Sequence, residues 1–255
     1  MKKLLLVFGL VVMVSGSVFG EEEILKHQRA HGYFDGDPNQ NEILELINKV
    51  LKLYHKDEYN ALDPVWSQSD IFLITYGDTL KQDNQKHLNT LSKFLDKYTK
   101  PYFNNLHILP FFPFSSDDGF SITDYEKIRP DLGSWKDMKS LSNNFRLMSD
   151  VVINHASIKS KYFEEFMMNK GNFKDFFIKL ADQDGYNDVI RPRSSDLFKE
   201  IVIDDKLWNL WCTFSHDQVD FNFKNSNVLF FFIKLIHFYL NKGVRVFRLD
   251  AIAFL

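Results

Sequence analysis

The sequence predicts an α/β protein in which helices alternate with the strands of a parallel sheet. Apolar runs of strand length recur four times, and segments with helical spacing separate them. The 255 residues are 45% hydrophobic and 25% charged, which is ordinary for a folded domain with a sizeable core. No glycine-rich phosphate loop opens any helix, so a nucleotide-binding fold is disfavoured. The pattern fits either a barrel or a doubly wound sheet.

Residues 1–20 have the layout of a secretory signal peptide. Two lysines precede an apolar run over residues 4–14, and small residues follow it. This run is too short for a transmembrane helix. We therefore expect a secreted or periplasmic protein with no membrane attachment after cleavage. The single cysteine, Cys212, has no partner for an internal disulfide, and we expect a buried structural thiol.

Residues 21–69 are predicted to be an N-terminal helical extension. They contain NQNEILELINKVLKLYH, whose apolar residues approximate the stripe of an amphipathic helix that packs on the main domain.

Residues 70–155 contain the first three predicted strands. These strands are SDIFLITYGD, NLHILPFFP and FRLMSDVVINH. Between them lie two predicted helices, around HLNTLSKFLDKY and SWKDMKSLSNN, the second with Ser134 as its N-cap.

A long mixed stretch, residues 156–217, interrupts the alternation. Residues 218–255 then contain the helix SNVLFFFIKLIHFYLNKG, with Gly243 just past its end, and a fourth strand, GVRVFRLDA. The apolar run of this helix is about twelve residues, which predicts a core helix rather than a membrane span.

The charge pattern excludes several functional classes. A formal net charge of −3 gives no reason to expect nucleic-acid binding. The eight histidines show neither zinc-ligand spacing nor cysteine partners, so we predict no metal and no cofactor.

Polar residues collect where the predicted strands end. Asp117 and Phe120 follow strand two, His155 ends strand three, and Arg248 and Asp250 share one face of strand four. A guanidinium beside a carboxylate favours the ionised carboxylate, which could act as a nucleophile. Each residue alone also has a structural interpretation: a turn or cap, a hydrogen-bonded histidine, a salt bridge. Their joint position on successive strand ends favours one pocket.

Several of these segments resemble a known family. SDVVINH, HDQVDFN and GVRVFRLDA, in this order, resemble signature segments of the α-amylase superfamily of (β/α)8-barrel glycosidases. LITYGDTL, HILPFFPFSSDDGFSITDY, RPR and QVDFN are similar to its sucrose phosphorylase-like branch, which includes glucosylglycerate and glucosylglycerol phosphorylases. The resemblance covers roughly Ile71 to Leu255. It implies the N-terminal half of a (β/α)8 TIM barrel, with residues 156–217 as a domain-B-type insertion after strand three.

The resemblance also implies roles for individual residues. Asp250 would be the nucleophile that forms a covalent glucosyl-enzyme, and Arg248 would orient it. The remaining implied contacts are to substrate: Asp117 and His155 to glucose hydroxyls, Phe120 stacked on the sugar ring, Phe214 and Gln218 lining the same subsite, and Arg193 toward phosphate or an acidic acceptor.

The implied activity is a retaining α-glucoside phosphorylase that transfers glucose to inorganic phosphate. A secreted α-amylase-type glucosidase or transglucosidase is an alternative, and a non-catalytic sugar-binding or vestigial fragment is another. In the family the general acid follows a later strand. We therefore expect the chain to be the N-terminal piece of a longer enzyme, with little turnover alone.

Overall fold

The computed structural model of the chain describes residues 40–55, 67–186 and 188–255. The predicted signal peptide and most of the predicted N-terminal extension lie outside these residues. Among the described residues, no helix is long and apolar enough to cross a membrane.

A four-stranded parallel sheet forms the centre of the fold, as predicted. Its strands are β1 (Phe72–Thr75), β2 (Asn105–Ile108), β3 (Arg146–Val152) and β9 (Val244–Asp250). Their order in the sheet is β1-β2-β3-β9, and every neighbouring pair is parallel. This is the arrangement of a partial barrel, in which the carboxyl ends of all four strands meet at one edge.

The α-helices of the described residues are α1 (Gln40–His55), α2 (His87–Tyr98), α3 (Trp135–Leu141), α4 (Lys161–Met167) and α5 (Ser226–Asn241). Helix α2 connects β1 to β2, α3 connects β2 to β3, and α5 precedes β9, whereas α1 precedes the sheet and α4 lies in the stretch between β3 and α5. Ser134 precedes α3 as predicted, and both its backbone N–H and its hydroxyl donate to the carboxylate of Asp137. Gly243 follows α5 with φ +97, a conformation that L side chains rarely adopt.

Helix α1 is amphipathic and packs against α5. Within residues 41–50 of this helix, the buried side chains are Ile43, Ile47 and Val50, about one turn apart along one face. Helix α5 is buried along most of its length. The prediction of a core helix at α5 is therefore confirmed.

The residues between β3 and α5 form an insertion that contains two small antiparallel sheets. Strand β4 (His155–Ser157) pairs with β8 (Gln218–Asp220), and we call these two strands the neck. Beyond the neck, β5 (Lys179–Leu180), β6 (Phe198–Ile203) and β7 (Lys206–Trp211) form a sheet in the order β5-β7-β6.

His155 differs from its predicted place at the end of strand three. It begins the separate strand β4, because its partners lie across the neck rather than in the parallel sheet. The buried hydroxyl of Tyr125 lies 2.8 Å from the carbonyl oxygen of Val152 and 2.7 Å from that of His155, so it holds the bend between β3 and β4. Tyr239 of α5 in turn donates to the carbonyl oxygen of Tyr125.

Candidate active site

Arg248 and Asp250 lie on the same face of β9, at the carboxyl end of the sheet. A guanidinium nitrogen of Arg248 is 2.9 Å from Oδ1 of Asp250. Burial raises the pKa of the Asp250 carboxyl above its ordinary value, Arg248 opposes this, and the charges of Asp150 and Asp117 add to it. The neighbouring guanidinium was expected to dominate. Burial and the two neighbouring carboxylates outweigh the guanidinium, because loss of solvation and nearby negative charge both disfavour the ionised form.

Two buried residues that the sequence analysis did not single out support this pair. Asp150 of β3 has no exposed surface, and its Oδ1 accepts from Arg248 Nη1 at 2.6 Å. Its other oxygen, Oδ2, lies 2.9 Å from Nε2 of His107 in β2. Asp150 is opposite Arg248 in the strand register. His107 of β2 and Asp150 of β3 thus fix the guanidinium of Arg248 on the third adjacent strand, β9.

A sharp turn after β2 presents Asp117 to the site. Asp117 and Asp118 both have positive φ, and Gly119 follows with φ +109. A β-carbon at Gly119 would lie 3.0 Å from the Cβ and the carbonyl oxygen of Pro110, so the close approach requires glycine. The turn directs Asp117 Oδ2 to the amide nitrogen of Gln218, which donates to it at 2.8 Å.

Arg193 reaches the same carboxylate from the insertion. Its guanidinium is 3.7 Å from Oδ1 of Asp117, and both side chains are substantially exposed. A partly exposed ion pair of this kind contributes little to stability. Both groups therefore remain accessible to a ligand.

His155 lies at the centre of a hydrogen-bond network across the neck. The side-chain nitrogen of Asn154 lies 3.2 Å from a carboxylate oxygen of Asp220 and 3.0 Å from the carbonyl oxygen of Phe254. Its oxygen consequently accepts from Nδ1 of His155, at 3.1 Å. Nε2 of His155 then accepts from the amide nitrogen of Gln218, also at 3.1 Å.

The imidazole of His155 is neutral at physiological pH. Burial lowers its pKa to about 4, although the carbonyl of Phe120, 3.2 Å from Nε2, and the charges of Asp117 and Asp217 act in the opposite direction. A neutral ring with its proton on Nδ1 satisfies the two side-chain contacts named above.

Aromatic rings border this network. The ring of Phe214 is 5.0 Å from that of His155, and the guanidinium of Arg248 lies 5.7 Å from the ring centre of Phe120. Contacts thus join all eight residues that the sequence analysis named into one group: Asp117, Phe120, His155, Arg193, Phe214, Gln218, Arg248 and Asp250.

A cluster of serine side chains around Asp217 was also not predicted from the sequence. The hydroxyls of Ser115, Ser116 and Ser157 all donate to this carboxylate. Burial raises the pKa of the Asp217 carboxyl, but the three hydroxyl donors outweigh it, so the pKa is lowered overall. The cluster ties the turn that carries Asp117 to both strands of the neck. The residue types gave no signal for it, since serines flanking a turn are ordinary.

The geometry combines two chemical capacities. A half-buried carboxylate held by a guanidinium, such as that of Asp250, can attack an electrophilic carbon. Carboxylate, imidazole, amide and aromatic groups beside it match the hydroxyls and the apolar face of a polyol ligand.

The chain is similar in sequence to known proteins. Residues 95–255 match the family model described as alpha amylase, catalytic domain. The chain is 43% identical over 199 residues to glucosylglycerate phosphorylase of Spirochaeta thermophila, covering 78% of this chain and 34% of that protein. It is 38% identical over 191 residues to glucosylglycerate phosphorylase of Escherichia coli, covering 74% of this chain and 34% of that protein.

A solved structure shares the fold. The crystal structure of sucrose 6F-phosphate phosphorylase from Thermoanaerobacter thermosaccharolyticum superposes with a TM-score of 0.66 at 31% identity. The match covers 73% of this chain and 40% of that one. The chain therefore spans about a third of the length of the relatives it matches in sequence.

Proposed function

We propose that this chain, which belongs to the alpha-amylase family of catalytic domains, supplies the nucleophile of a retaining α-glucoside phosphorylase. One observation carries this proposal. Asp250 ends β9 with its carboxylate 2.9 Å from the Arg248 guanidinium, beside Asp117, His155 and Gln218. Two glucosylglycerate phosphorylases among the relatives support phosphate as the acceptor.

The proposed reaction proceeds in two displacements at the anomeric carbon. A carboxylate oxygen of Asp250 attacks this carbon, and the bond to the leaving oxygen breaks as an acid protonates that oxygen. A phosphate oxygen then attacks the same carbon, the ester bond to Asp250 breaks, and α-glucose 1-phosphate leaves. The two inversions give net retention.

Each neighbouring residue has a distinct part in this scheme. Arg248 orients Asp250 and balances its charge. Asp117 accepts from glucose hydroxyls, and His155 bonds to them with its neutral ring. Phe120 stacks on the sugar ring, and Phe214 and Gln218 line the subsite. Arg193, which reaches in from the insertion, meets phosphate or a carboxylate on the leaving group.

The general acid follows a later strand in the family that the sequence resembles. We therefore propose that residues 1–255 alone turn over ordinary glucosides poorly, because an unprotonated alkoxide is a poor leaving group. A glucosyl fluoride avoids this requirement, since fluoride leaves without a proton. The nucleophile can thus be tested separately from the acid.

The first experiment treats the chain with 5-fluoro-α-glucosyl fluoride and measures its intact mass. We expect one glucosyl unit per chain, and peptide mapping should locate it on Asp250. Asp250→Asn should abolish the label, whereas Asp118→Asn, an exposed neighbour in the same turn as Asp117, should leave it. An unlabelled wild-type chain would contradict the assignment of Asp250 as nucleophile.

The second experiment identifies the acceptor. The labelled chain is placed in buffer with and without inorganic phosphate, and loss of the label is followed by mass. Faster release with phosphate, giving a sugar phosphate, supports the phosphorylase. Equal release as free sugar would favour the secreted glucosidase or transglucosidase, and sugar binding without labelling would favour a non-catalytic protein.

Export of the protein is a separate part of the proposal. It depends on the signal-peptide pattern in residues 1–20. The N-terminal sequence of the protein isolated from its natural source tests it, because an intact Met1 would contradict cleavage.

A further inference from the structure

A continuous chain of polar contacts crosses three neighbouring strands below Asp250. His107 Nε2 is 2.9 Å from Asp150 Oδ2, Asp150 Oδ1 is 2.6 Å from Arg248 Nη1, and Arg248 Nη2 is 2.9 Å from Asp250 Oδ1. His107 and Asp150 are 3% and 0% exposed. Both are buried among the strands, and they are connected to Asp250 only through Arg248 in this contact chain.

Two carboxylates compete for one guanidinium in this arrangement. Arginine prefers to bind a carboxylate through two parallel hydrogen bonds, and a fully buried carboxylate such as Asp150 needs donors on both oxygens. If Arg248 donated to both oxygens of Asp150, its Nη2 would have to move from Asp250 to Asp150. With its proton on Nε2, His107 prevents this, because the ring N–H then occupies Oδ2 of Asp150.

We propose that His107 is a positioning residue for the nucleophile. By donating to Asp150 it restricts Arg248 to a single bond with that carboxylate and thereby keeps the other guanidinium nitrogen on Asp250. The role assigned to Asp250 rests on the proposed function, whereas the contact chain itself does not.

The protonation of Asp250 reports on this arrangement. The charged and titratable groups that face it are Arg248 on its own strand, Asp150 on β3, Asp117 in the turn after β2, and the buried Tyr125. Of these, Arg248 is the cation. If Arg248 moved toward Asp150, its lowering effect on the pKa of Asp250 would be lost. Burial and the charges of Asp150 and Asp117 would remain, and all three raise that pKa.

A matched pair of substitutions at position 107 isolates the donor. His107→Gln keeps an N–H donor on an unbranched side chain, and His107→Met has similar length but no donor. The carboxyl carbon of Asp250 is followed by NMR as a function of pH in the 255-residue chain, its resonance assigned by its loss in Asp250→Asn. We expect a higher pKa for Asp250 in His107→Met and a value close to wild type in His107→Gln.

The labelling rate gives a second readout. With 5-fluoro-α-glucosyl fluoride near neutral pH, we expect His107→Met to label about ten- to a hundredfold more slowly than wild type, the range for losing one charge-assisted hydrogen bond. His107→Gln should stay within a few-fold of wild type. If wild type itself does not label, the proposed function fails, and the NMR titration still decides the role of His107.

The wild-type chain provides a test that does not require any variant to fold. The proposal needs the proton on Nε2 of His107, and ¹⁵N shifts of the imidazole distinguish this tautomer from the other. A proton on Nδ1 alone would overturn the proposal. So would an unchanged Asp250 titration in folded His107→Met.

Discussion

Gly243 joins α5 to β9, and its replacement by alanine tests how closely that junction is packed. A β-carbon at this position would lie 2.5 Å from Ser142 Oγ and 2.8 Å from Ser142 Cβ, closer than real β-carbons approach such atoms. The backbone has φ +97, which costs an alanine about 1–2 kcal/mol. Alanine recovers about 0.5 kcal/mol by restricting the unfolded chain. Displacing Ser142 adds about 1–3 kcal/mol, as in other overpacked sites.

Gly185 is the matched control for the backbone part of this cost. It has φ +84, and no atom of the described residues other than its chain neighbours lies within 4 Å of the position of its β-carbon. Gly185→Ala should therefore lower the free energy of unfolding by about 1 kcal/mol, and Gly243→Ala by about 2–4 kcal/mol. Urea denaturation of both variants, followed by fluorescence and circular dichroism, measures the difference.

A double variant assigns the excess to the contact with Ser142. Ser142→Gly removes the side chain that Gly243→Ala would strike, so the two substitutions together should be less destabilising than the sum of each alone. Equal losses for Gly243→Ala and Gly185→Ala would refute the packing argument, and so would strict additivity in the double variant.

Other measurements address the Ser160 cap of α4 and two buried titratable groups, His155 and Asp220. Ser160→Ala should cost about 1 kcal/mol, because the Ser160 hydroxyl accepts from the backbone N–H of Phe163; Ser160→Asp, which keeps an acceptor, should cost less in the same denaturation assay. The lowered pKa of His155, about 4, means that the unfolded chain binds its proton first, so the unfolding free energy should fall by about 3 kcal/mol as the pH drops from 6.5 to 4. His155→Gln should remove this part of the pH dependence, and an unaltered slope would contradict it. Burial raises the pKa of Asp220 to about 7, so its contribution to stability is present below pH 4 and is lost as the pH rises to 7; Asp220→Asn should remove this decline between pH 4 and pH 7.

Local patterns were enough to predict the main elements of the fold. The helix α2 matches the predicted segment, and Ser134 and Gly243 mark helix ends as expected, because capping depends on neighbours a few residues away. The site residues were named from strand ends and from resemblance. Their contacts, such as Gln218 with Asp117, join residues 101 positions apart and could not be read from spacing.

The residues that the sequence analysis missed illustrate the same limit. His107 and Asp150 interrupt apolar strands, which is the available signal, since a polar side chain within a buried strand needs a partner. The identity of the partner depends on strand register. The start of β4 at His155 likewise depends on pairing with a strand that begins 63 residues later.

The neck has a consequence for how this protein can vary. His155 and Gln218 belong to the two strands through which the chain leaves the sheet and returns to it, and Asp217 and Tyr125 fasten those strands at their base. We therefore expect that residues beyond the neck can be lengthened, shortened or exchanged while Asp117, His155 and Gln218 keep their positions. Arg193 and Phe214 are exceptions among the predicted site residues, since both lie between the two neck strands and thus on the exchangeable side. Under the proposed function, a recombination point at the neck would change the acceptor contact assigned to Arg193 and retain the sugar contacts assigned to Asp117 and His155.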